Sequence, residues 1–232
     1  MISITHFAAL ANETWGWRAV GIPLSLLDRS LQGDIDLLVA MLPPPKSEEW
    51  RRVFPPPPIY RCFELKTAKV NRNGDVKSLK TAKFHKTMGQ LEKLCDIGAQ
   101  QVFLLETFIV EAGYSDSGWP RIPPPVLEAV ASKYGHIMRA DYGYVIMAIE
   151  QIRGYAENAT GVFWPTTTIK SAKTNEPSGP FLDIIKTIEA YIGASNANRA
   201  TDVVTYCYSC RKLTHTHRTG PYSCRECKKP FV

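Results

Sequence analysis

Apolar and polar positions change their spacing several times along this chain of 232 residues. Phe7, Leu10, Thr14 and Trp17 recur at helical intervals, which predicts a helix over residues 5–17 ending at Gly21 and Pro23. A short turn or strand is expected over residues 24–31. Residues 34–41 then alternate as a strand does, with Asp34 and Asp36 on one face and Ile35, Leu37 and Val39 on the other. Residues 59–68 predict a second strand, with Glu64 and Lys66 on one face and Phe63 and Leu65 on the other. Between these strands, residues 43–58 hold two proline runs that favour polyproline II, around Trp50, Arg51 and Arg52.

A turn at Asn71–Gly74 follows. Residues 85–97 predict a helix with Met88, Leu91, Leu94 and Cys95 inward and Gly98 as its C-terminal cap. Strands are expected over 101–110 and 142–149, separated by a helix from Pro123 to Met138. Residues 158–175 are polar and turn-rich, with a short run at Val162, Phe163 and Trp164. A last amphipathic helix, 180–192, sets Phe181, Ile184, Ile185, Ile188 and Ile192 inward. The order α, β, β, α, β, α, β, α implies an α/β domain over residues 1–195, with a mixed central β-sheet flanked by helices. Small polar residues over 196–205 read as a linker, and residues 206–232 as a separate small module.

Hydrophobic residues make up 44% of the chain, enough for a real core. No apolar stretch approaches membrane-spanning length. Met1–His6 lacks the basic-then-apolar order of a secretory signal, so a cytoplasmic location is expected.

Four of the six cysteines form Cys207-x2-Cys210 and Cys224-x2-Cys227. Two such knuckles suit a closed tetrahedral site of four thiolates, so a structural Zn²⁺ in a zinc ribbon is expected. His215 and His217 lie between the knuckles and are not expected to be ligands. A module this small has too little core to fold without its metal. Cys62 and Cys95 sit in apolar patterns and read as buried thiols.

The net charge is +6, and from Cys207 onward six basic residues face Glu226 alone. That favours a polyanionic partner. Arg211 and Lys212, with Tyr206, Tyr208 and Tyr222, suit contact with nucleic acid, although zinc ribbons also dock proteins. Lys69, Lys80 and Lys83 belong to a lysine series after the second strand. The series reads either as a solvated face or as an edge that contacts phosphate.

If the first two strands pair, carboxylates and an amine converge, and a divalent cation would offset the repulsion and lost hydration. Gly33-Asp34-Ile35-Asp36-Leu37, followed by Glu64-Leu65-Lys66 on the next strand, resembles the PD-(D/E)xK nuclease superfamily in its restriction-endonuclease-like and resolvase-like branches. The resemblance spans about residues 5–110, with Ile35 where the literal motif has proline. It implies Asp36 and Glu64 as ligands of Mg²⁺ or Mn²⁺, and Lys66 as the residue assisting the attacking water. It further implies Glu13 as a helical metal ligand and Gln90 as a helical site residue. The expected activity is metal-dependent DNA endonuclease, acting as a homodimer or with protein partners. The alternatives are a catalytically silent nucleic-acid-binding or assembly protein, and a nuclease subunit active only within a multi-protein complex, as in transposition or defence.

Overall fold

A computed structural model describes residues 15–26, 29–41, 57–70, 76–77, 81–111, 124–137, 141–151, 162–163, 167–217, 220 and 222–231. The expected N-terminal helix and the proline-rich insert fall largely outside these residues. The chain forms two compact units, one from residues 1–63, 93–101 and 174–232, the other from 64–92 and 102–173.

The first unit holds β1 (Trp15–Pro23), β2 (Asp34–Met41), the start of β3 (Ile59–Val70), α3 (Gly179–Ala194), β9 (Asp202–Cys207) and β10 (Lys212–His217). Its strands lie in the order β10-β9-β1-β2-β3. β2 runs antiparallel to β1 and β3, β9 parallel to β1, and β10 antiparallel to β9. Trp15 to Trp17, expected to end a helix, are therefore strand. The helical spacing of Phe7, Leu10, Thr14 and Trp17 does not reach the run Trp17–Ile22, which is buried apart from Gly21 and fits a strand covered on both faces.

β2 is buried almost continuously from Leu37 to Ala40, so the face that carries Asp36 becomes apolar further along. The predicted apolar residues of α3 are all buried. Glu189 on α3 accepts hydrogen bonds from Trp17 Nε1 (3.4 Å) and Tyr60 Oη (3.1 Å). Burial, with Glu189 alongside, pushes the Tyr60 hydroxyl up to about 12. At Gly98 the chain has φ +89°, and the Ser178 carbonyl oxygen would lie 2.3 Å from any added Cβ. Only glycine fits this junction, where Ser178 N donates to Gly98 O and Phe181 N to Ile97 O.

The stretch 196–205, expected as a linker, holds a turn and the start of β9. In the turn Asp202 N donates to Asn198 O (2.8 Å) and Asn198 N to Asp202 Oδ2 (3.0 Å). Arg18, 0% exposed, donates to Ala200 O at 3.0 Å. The apolar pair Val203 and Val204 then adds a strand beside β1.

The second unit holds the rest of β3, β4 (Val76–Lys77), most of α1 (Thr81–Asp96) and of β5 (Gln101–Glu111), α2 (Pro124–Ile137), β6 (Gly143–Gln151), β7 (Val162–Phe163) and β8 (Thr167–Lys170). β5 and β6 are parallel with α2 as their crossover; β7 and β8 pair antiparallel with β6. Lys170 Nζ donates to Ile137 O (2.9 Å) and Tyr142 O (3.0 Å), closing the C-terminal end of α2. Tyr144 Oη donates to Glu106 Oε2 at 2.7 Å inside the core. That bond satisfies one oxygen of a carboxylate with no exposure to solvent.

Candidate metal centre

Each Cys-x2-Cys pair turns the same way. Arg211 follows Cys210 with φ 55°, and Lys228 follows Cys227 with φ 60°. Both are left-handed residues without glycine's freedom, a conformation costing about 1–2 kcal/mol in an L-residue. The first turn joins β9 to β10, where Cys210 N–H donates to Cys207 Sγ at 3.4 Å. The second is the tip of a small hairpin closed by Phe231 N to Tyr222 O, the bridge Ser223–Pro230 and Cys224 N to Lys229 O.

The two turns bring the four sulfurs within 4.8 Å of one another. Cys207 Sγ lies 3.6 Å from Cys227 Sγ, and Cys210 Sγ 3.8 Å from Cys224 Sγ. A disulfide would hold its sulfurs at about 2.05 Å. Sulfurs placed tetrahedrally at about 2.3 Å from zinc stand about 3.8 Å apart. The spacing therefore suits a metal ion such as zinc. Burial raises the Cys224 thiol, but the backbone N–H groups of Cys227 and Glu226 outweigh it and bring Cys224 down to about 6. Hydrogen bonding to Cys227 pushes Cys210 up to about 12.

Behind this cluster lies a polar group absent from the sequence-based expectations. His215 is buried on β10; its Nδ1 lies 2.7 Å from Tyr191 Oη and its Nε2 3.7 Å from Asp202 Oδ2. Arg225 Nη2 is 4.0 Å from the same carboxylate oxygen. Burial, together with Arg225, holds the imidazole below its ordinary pKa despite Asp202. His215 is a core strand residue, where only its not being a ligand was expected, and it is an organised one. The signal for it was the Thr-His-Thr run, whose period of two makes it a strand.

The other predicted residues fall as follows. Asp36 is half-buried on β2 in the first unit. In the second unit Glu64, 1% exposed, pairs with the Lys66 ammonium, 23% exposed, on the same face of β3. Gln90 is half-buried on α1. Glu13 and Lys80, and the side chain of Lys83, lie outside the described residues. Lys69 is exposed, at the β3 position that pairs with Lys77 of β4. Arg211 and Lys212 are exposed, and Lys212 Nζ sits 2.6 Å from Glu226 Oε2. Among the described residues, the four cysteines are the one close grouping of three or more metal-ligating side chains. No helix among them is long and apolar enough to cross a membrane.

No family model, curated protein or solved structure matches the chain.

Proposed function

We propose that the protein is a metal-dependent DNA endonuclease of the PD-(D/E)xK type, with a structural zinc in its four-cysteine module. The observation that carries this reading is the Glu64–Lys66 pair. A carboxylate with almost no solvent exposure shares one strand face with an amine, a costly placement that supports a chemical role. The resemblance adds Asp36, on β2. Asp36 and Glu64 are the proposed Mg²⁺ donors. Mg²⁺ keeps several waters and is bound through one or two carboxylates, so this donor set is sufficient. Bound there, the metal would supply a water of lowered pKa and neutralise charge on the phosphate. Lys66 would orient that water or stabilise the developing charge. Glu13 remains a candidate third ligand, Gln90 a supporting residue, and Lys69 a phosphate contact.

One observation favours a second reading. Glu64 already has a cationic partner in Lys66, so the pair is satisfied without a metal. A catalytically silent DNA-binding protein, or a subunit active only in a larger complex, would look the same.

The experiment is cleavage of supercoiled, single-stranded and branched DNA in Mg²⁺ or Mn²⁺, with Lys66→Ala and Glu64→Gln alongside. Cleavage by the native protein that drops about 10²-fold or more in both variants supports the enzyme. Equal cleavage by all three proteins assigns it to a contaminant. No cleavage, with salt-sensitive binding, selects the silent reading.

A further inference from the structure

Tyr208 is the large hydrophobic side chain left most open among the described residues, at 61% exposure. It stands at the first knuckle, one residue beyond β9. Its ring meets Tyr206 edge to face, with centroids 5.1 Å apart and planes at 81°. Tyr206 and Tyr208 border a cleft of about 120 Å³, closed by Lys229, Pro230 and Phe231 and on the β1 side by Gly21, which adds no side chain.

We propose that this cleft is a stacking subsite for an unpaired base of single-stranded DNA. The proposal rests on the nucleic-acid reading above and names the form of DNA recognised. Three observations converge on it. An aromatic ring offered to solvent normally costs hydration, and base stacking is the use that tolerates any sequence. The ring is held beforehand by its edge-to-face contact with Tyr206, so less freedom is lost when a base arrives. Lys229 borders the cleft and supplies a cation for the backbone phosphate. Lys212 is held by Glu226 and contributes less.

The test is the affinity of the full zinc-loaded chain for labelled oligo-dT and for duplex DNA, without added Mg²⁺. Tyr208→Ala is expected to weaken oligo-dT binding about tenfold and to leave duplex binding within about twofold. Tyr208→Trp should retain affinity. Equal zinc content in each variant shows that the module is folded. If Tyr208→Ala fails that check, Tyr208→Leu takes its place, with the same loss expected and unchanged oligo-dT affinity again overturning the subsite. Unchanged oligo-dT affinity in Tyr208→Ala overturns the subsite and leaves the nuclease reading standing if Lys66-dependent cleavage persists. A native protein that binds neither oligo-dT nor duplex overturns both.

Discussion

Tyr191 Oη and His215 Nδ1 lie 2.7 Å apart, which ties α3 to β10 through a buried imidazole. A neutral ring lets the tyrosine donate to Nδ1 and turns Nε2–H toward Asp202. The folded pKa of His215 lies below the ordinary value near 6.5, so the unfolded chain takes up the proton first. Its contribution to stability is then complete above about pH 6.5 and is lost as the pH falls through that value toward the folded pKa. Thermal unfolding of zinc-loaded protein should show Tm falling with acidification over this window, and His215→Asn should flatten the slope. Parallel pH curves for the two proteins would contradict the assignment.

The zinc proposal predicts one metal ion per chain and near zero in Cys207→Ser/Cys224→Ser. A chelator should also lower Tm, because metal binding is linked to folding. Metal analysis of purified protein checks the first point and a melting curve the second. Undiminished zinc in the double variant would overturn the site.

Glu64 and Lys66 should be coupled in stability as well as in chemistry. Lys66→Met leaves a carboxylate of 1% exposure without its cation and should cost on the order of 1–3 kcal/mol. Lys66→Met/Glu64→Gln should recover part of that loss, which urea denaturation measures directly. Additive losses would show that the two side chains do not act as a pair.

Arg211 and Lys228 hold positive φ without glycine's freedom. Arg211→Gly and Lys228→Gly should each stabilise the module by a few tenths to about 1 kcal/mol. Gly98→Ala should do the reverse, losing more than about 1 kcal/mol, since its Cβ meets the Ser178 carbonyl. Melting temperatures rank the three variants.

Much of this was legible from residue patterns because the responsible physics is local. The alternation in 34–41, the apolar stripe of residues 181–192 and the two Cys-x2-Cys spacings each declare their element within a few residues. Three features were not legible. Trp17 fitted a helical stripe, but its neighbours on β1 are buried on both faces, a state that periodicity cannot separate from a helix. Residues 202–204 sat next to small polar residues and passed for a linker, because their partner strand lies far away in sequence. The bond between Tyr191 and His215 likewise joins residues on different elements, and no spacing rule connects them.

The parallel pairing of β9 with β1 has a consequence for synthesis. Arg18 donates to Ala200, 182 positions later. At about 5–20 residues per second, that interval is roughly 10–40 s on the ribosome. Through it, one side of β1 stays unpaired while the whole second unit emerges. The nascent chain therefore carries an open strand edge of the kind that chaperones shield, until β9 pairs with it.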